Sequence, residues 1–242
     1  MRRSASRGGP ESGSVLVIAL LATSVITTLG LMLALATTVE TEIASNVHAS
    51  VQALALAEAA GERAAAELAA LPSWDLALAG AATAAFFDGG HGLRRAGGTT
   101  IDLDGETAWL LCGASSCAGR SPDVMTGARP WGSNNPRWTV YASGSAVTLL
   151  GSGGRSVPGY AVVWVGDDPA ENDANPLQDG GPPVADARSL ENPGLDAIGL
   201  RAVAWGARGS RREVESIVER ADRAAHTGAR LRVWREVRGA LP

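Results

Sequence analysis

The stretch ESGSVLVIALLATSVITTLG, Glu11 to Gly30, decides how the rest of the chain is read. It opens an apolar run: from Ser14 to Val39 there are 26 residues and no charge. A secretory signal carries an apolar region of roughly 7–15 residues before its cleavage site, so this run is too long for one. A helix needs about 20 apolar residues to cross a bilayer core of about 30 Å, and the run supplies more. Arg2, Arg3 and Arg7 stand upstream against a single acid, Glu11. The positive-inside bias then keeps the N-terminus cytoplasmic and exports the chain beyond the run.

The helical pattern continues past the apolar run. Residues 38–71 hold no proline and are crowded with Ala, Leu and Glu, all strong helix formers. Ile43, Val47, Val51 and Leu54 recur every three or four residues and predict one apolar stripe. Pro72 ends the segment, because proline cannot continue a helix interior. One helix is therefore expected from Ser14 to Leu71, roughly 85 Å long. A plain membrane anchor followed by a coiled-coil stalk is an alternative, but Ala dominates and the heptads are poor. The apolar run also contains Thr23, Ser24, Thr27, Thr28 and Gly30. Small residues of this kind let helices approach one another closely.

A short basic leader ending in Gly13, followed by an apolar start to a very long helix, resembles a type IV prepilin. More specifically, the N-terminal region is similar to that of PilX-like minor pilins. Three segments carry the match: the G-S-x-L-V-I-A-L-L opening, T-x-E-x-x-I-A-S-N ending at Asn46, and A-L-A-E-A-A-x-E-R-A ending at Ala64. Weaker echoes are GYAVVWVGDD with the acidic ENDANPLQD, and the closing RVWREVR. The resemblance implies cleavage after Gly13 by a prepilin peptidase and N-methylation of Ser14. It implies a leader at 1–13, a long helix at 14–72 whose membrane half is 14–39, and an exported head at 73–242. The partners it implies are other major and minor pilins, the peptidase, the inner-membrane assembly machinery and membrane lipid. The protein would sit in the inner membrane with its head in the periplasm, then move into an extracellular fibre.

One departure from the wider pilin pattern refines this expectation. Most pilins carry glutamate at the fifth position of the mature chain, and here, counting from Ser14, that residue is Ile18. A buried carboxylate is costly without a partner. The lack of one points to a subunit that primes or caps a fibre. Tip pseudopilins of type II secretion share the lack, but their large helical insertion has little room in this head.

The head itself reads as α+β. Residues 73–96 look partly helical. TTIDLDG, AWLLCGA, RWTVYASG, AVTLLGSG and GYAVVWVG are short apolar or alternating blocks bounded by glycine, and each predicts a strand. GLRAVAWGARG, REVESIVERA and ARLRVWREVR predict three more, with turns at Gly209–Ser210 and Thr227–Gly228. The alternation of Val214, Ser216 and Val218 favours strand over helix for the second of these. A mainly antiparallel sheet after one long helix is the expected outcome. Cys112 and Cys117, in an exported domain, predict a disulfide that pins a hairpin. Seven tryptophans pack the head, or Trp131 and Trp138 form a binding surface.

The stretch with most chemical potential is GDDPAENDANPLQDGG, Gly166 to Gly181. Crowded carboxylates repel unless a cation joins them, and calcium takes six to eight oxygen ligands. Asp173, Asn175, the Leu177 carbonyl and Asp179 fall on alternate positions, with Asp167 and Asp168 close by. These predict a calcium loop, although it lacks the distal glutamate of an EF-hand. A solvated acidic turn uses the same residue types. Charge is uneven around it: Asp167 to Asp196 holds eight acids and one Arg, while Arg201 to Pro242 holds ten Arg and five acids. The net charge of −4 favours no particular partner and nothing marks nucleic acid. No catalytic motif is visible, and His48, His91 and His226 lie far apart, so no enzyme is expected. Two classes of function remain: a structural fibre subunit, or a membrane-anchored exported adhesin or receptor.

Overall fold

A computed structural model describes residues 11–151, 157–171, 173–180, 196–222 and 227–237. Residues 1–10 of the expected leader, Asn172 and His226 lie outside the described residues. The fold is α+β with the expected pilin-like order: a long apolar helix, then an antiparallel sheet. Helix α1 runs from Glu11 to Leu68, 58 residues. Two compact units divide the chain between Val47 and His48.

The first unit is helix alone as far as it is described. Its large apolar side chains, from Val15 through Val39, are all exposed. It is long and apolar enough to cross a membrane. The threonines in it bond back to their own helix: Thr27 Oγ1 donates to Thr23 O at 2.7 Å and Thr28 Oγ1 to Val25 O at 2.8 Å. Hydroxyls satisfied within the segment suit a medium without water, where an unpaired polar group is costly.

The second unit is built on a five-stranded sheet with strands in the order β3-β4-β5-β6-β7, every neighbouring pair antiparallel. The strands are β3 Thr139–Ser145, β4 Tyr160–Asp167, β5 Ala197–Trp205, β6 Arg211–Glu219 and β7 Arg230–Glu236. Successive side chains of a strand point to opposite faces. On one face, Ala161, Val163 and Val165 join Leu200, Ala202 and Ala204 in a core with Ala57, Ala60, Ala64 and Leu68 of α1. On the other, Tyr160, Val162, Trp164, Val203 and Trp205 pack with Ile101, Leu103 and Leu110. Strand β4 is thus buried on both faces, which explains its unbroken apolar run.

The apolar stripe legible in the sequence is not the face that packs in the head. Ile43, Val47 and Val51 are exposed, and Leu54 is only partly buried. The buried stripe is Ala49, Ala53, Leu56, Ala57, Ala60, Ala64 and Leu68. Small side chains let the helix backbone approach the sheet closely. A Cβ placed on Gly61 would lie 3.5 Å from Ala202 Cβ, in ordinary contact with no room beyond it. Gly61→Leu is therefore expected to overpack this layer and destabilise the head by about 1–3 kcal/mol in denaturant titration. An unchanged midpoint would contradict the packing described.

Residues 73–96 are partly helical, as expected, through α2 Asp75–Leu78, and end in strand β1, Leu93–Ala96; other local expectations are corrected. Strand β1 pairs with β2, Thr99–Asp102, through Gly97–Gly98. Both glycines have positive φ, and a Cβ on Gly97 would fall 1.8 Å from Gly206 O. AWLLCGA is helical: α3 spans Leu103–Cys112, with Asp104 and Glu106 in its first turn, where acids favour the helix dipole. AVTLLGSG begins as helix α4, Ala146–Leu150, because Ser145 Oγ accepts from Thr148 N and caps it. Cys112 and Cys117 are bonded, S–S 2.15 Å. The bridge fastens the last residue of α3 to the turn after it, not a hairpin. Gly113 ends that helix in the left-handed region, φ 66°.

Candidate metal centre

The acidic segment starts where β4 leaves the sheet at Asp167 and ends where β5 enters at Ala197. These strands are neighbours, with Asp167 opposite Ile198, so both ends of the segment lie at one end of the sheet. Within it, Asp167, Glu171 and Asp173 bring carboxylate oxygens within 4.8 Å of one another. Asp167 is 4% exposed and Glu171 1%. Glu171 Oε1 accepts from Gly180 N at 3.0 Å, and Asn175 N donates to Asp173 Oδ1 at 2.8 Å. Asp167 Oδ1 and Glu171 Oε2 are buried without a hydrogen-bond partner among the described residues. A buried carboxylate oxygen with no donor is costly, so a proton or a cation is needed there.

The surroundings sharpen that need. Asp179 Oδ1 accepts from Asp196 N at 3.0 Å and Ala197 N at 3.3 Å, while Asp179 N donates to Asp75 Oδ1 at 2.8 Å. Arg220 is a cation whose field reaches Asp179 and Asp196. It is 2% exposed, and its guanidinium lies 4.2 Å from the centroid of the Trp74 ring. Arg220 offsets the charge of Asp179 and Asp196, while Asp167 and Glu171 each feel the repulsion of Asp173 and Asp179. Burial, reinforced by the neighbouring carboxylates, pushes Asp167 up to about 8 and Glu171 up to about 9. Burial and the Asp196 charge push Asp179 up to about 7.

These shifts set a pH dependence for the cation-free head. An unfolded carboxyl titrates near pH 4. Between there and about pH 7–9 the folded head holds protons that the unfolded chain has lost. The stabilisation is therefore complete below about pH 4 and is lost as pH rises through the folded values. Thermal midpoints in chelator are expected to fall from pH 5 to pH 9. A midpoint that rises over that range would contradict the burial of these groups.

Of the residues expected to bind calcium, Asp167 and Asp173 are brought together. Asp168 and Asp179 lie outside the clustered set. Asp168 Oδ1 accepts from Ala170 N at 3.0 Å, and the Asn175 amide nitrogen donates to Gln178 Oε1 at 3.0 Å. Glu171 enters the cluster although the alternate spacing does not mark it as a ligand. Its signal is the turn at Asp168, whose carbonyl accepts from Glu171 N at 3.1 Å and aims the side chain inward. The three residues could hold a metal ion through hard oxygen ligands. At the N-terminus, Gly13 and Ser14 lie in the first turn of α1 and are exposed. No family model matches this chain, and no curated protein or solved structure is found to be similar to it.

Proposed function

We propose that this chain is a minor pilin of the PilX-like type, a subunit that primes or caps assembly of a type IV pilus. One observation carries the reading. Helix α1 is continuous from an exposed apolar segment into the core of the head, where Ala57, Ala60 and Ala64 are fully buried. A lipid anchor needs only the first part of such a helix. A fibre subunit uses both parts, since the element that holds it in the membrane must also position the head when it leaves. In this reading a prepilin peptidase removes residues 1–13 and methylates Ser14. The protein waits in the inner membrane with its head in the periplasm, and then joins major and minor pilins. Ile18 brings no carboxylate to the helix interface.

The acidic site belongs to the same reading as a calcium site that closes the segment between β4 and β5. Calcium suits a site of hard oxygens whose protein ligands leave positions for carbonyls and water. No chemistry on a substrate is assigned to it; the ion would neutralise the buried carboxylates and fix the loop.

The test is fractionation of the native host. The protein is expected in sheared extracellular fibres at low abundance, and its loss is expected to reduce fibre number. Retention of all the protein in the inner membrane, with normal fibres in its absence, would favour an anchored receptor instead.

A further inference from the structure

The head also holds a cavity of about 420 Å³ between the end of α3, the loop before β3 and the open part of the sheet. That volume is within the range of small-molecule sites, roughly 300–1,000 Å³. Three indole rings line it: Trp109 on α3, Trp131 on the loop and Trp138 at the foot of β3. Trp138 is held flat against the sheet because Gly166 and Gly199 have no side chain. A Cβ there would meet its ring at 3.0 Å and 3.2 Å. Trp131 stands 43% exposed at the mouth.

The polar part of the wall is balanced. Arg235 Nη2 is 2.7 Å from Glu215 Oε2, and Arg201 Nη2 is 3.9 Å from the same oxygen. Arg201 also pairs with Glu213 at 2.6 Å and lies over the Trp138 ring, 5.7 Å from its centroid. Arg129 adds a third cation, and Asp168 and Asp167, the latter shared with the acidic cluster, add two carboxyl groups. A wall in which Arg201 and Arg235 already face carboxylates and Arg129 bonds the Pro122 carbonyl offers little to a phosphate or a nucleotide. It still presents spare donors and acceptors beside aromatic faces.

We propose that this cavity binds a neutral saccharide of one or two rings. A pyranose ring has a C–H face that packs on the negative face of an indole. Its rim of hydroxyls takes bonds from guanidinium groups and gives them to carboxylates, which serves both signs in this wall. An apolar ligand would leave the spare donors and acceptors of these groups unused, and an ion would meet its own sign.

The test uses the full chain in a zwitterionic detergent without a sugar headgroup. Tryptophan emission is followed while maltose, cellobiose, lactose and N,N′-diacetylchitobiose are added separately. At least one is expected to give a saturable change. Trp131→Ala is expected to weaken that binding at least tenfold. Trp234→Ala, which removes an exposed indole of β7 outside the cavity, is expected to leave it intact. The proposal is overturned if no sugar gives a saturable response or if Trp131→Ala binds as the parent does. It is overturned equally if glucose 6-phosphate binds where the neutral sugars do not.

Discussion

Trp74→Ala is expected to lower the stability of the head by about 3–5 kcal/mol, the range for deleting a large buried ring. Trp74 is 1% exposed and stands just beyond the end of α1. Its Nε1 donates to Leu68 O at 2.9 Å, filling one of the carbonyls left open at the helix C-terminus. Its ring carries Arg220, which has Nε and Nη1 buried without a hydrogen-bond partner among the described residues. Removing the ring opens a cavity and strands a buried guanidinium at once. Near-UV circular dichroism of the full chain in detergent, followed in urea, isolates the head from the helical anchor. Trp74→Phe keeps most of the apolar volume and loses the indole hydrogen bond, so it should fall between parent and alanine variant. A Trp74→Ala midpoint within error of the parent would show that the helix end is held by something else.

The second large effect is that of calcium on the same unfolding transition. A ligand that binds only the folded state adds about 2.7 kcal/mol at a hundred times its Kd. With calcium in that excess at pH 7.5, the head is expected to gain about that much. The gain should shrink as pH falls, because protons compete for Asp167 and Glu171, which hold them up to about pH 8 and 9. Glu171→Gln removes one ligand oxygen's charge while keeping the side chain's shape. It should abolish the calcium effect and lessen the fall in stability with rising pH. If calcium, magnesium and manganese all leave the midpoint unchanged, the carboxylates are held by protons alone.

Much of the architecture is legible in the sequence because it rests on large side chains in regular patterns. GYAVVWVG is β-branched and aromatic apart from Ala161 and its bounding glycines, and such a run suits a strand covered on both faces. The Val214, Ser216, Val218 alternation identifies β6, and all three side chains are buried. The differences share a cause. The stripe through Ile43, Val47 and Val51 stands out by size, whereas the sheet takes Ala53, Ala57 and Ala60 because only small residues permit close approach. A five-residue apolar block such as AWLLC has no period long enough to separate strand from helix. The extended Asp102 and the acids of the next turn are the better signal there.

The site is partly legible for similar reasons. The density of carboxylates points to Asp167 and Asp173. The alternate spacing that adds Asn175 and Asp179 assumes an extended ligand loop. The segment instead turns at Asp168 and again at Asn175, whose carbonyl accepts from Gln178 N at 3.1 Å. Those turns bring Glu171 inward and direct Asp179 to the amides of Asp196 and Ala197. The cavity is foreshadowed by Trp131 and Trp138. Trp109 is hidden because its segment reads as a strand.

In the proposed function α1 is a processed assembly helix and not a fixed anchor. The most direct test is the mass of the N-terminal peptide of the protein isolated from native membranes. The expected chain begins at N-methylated Ser14, with residues 1–13 absent. A chain that begins at Met1 would rule out prepilin processing and leave an anchored exported domain.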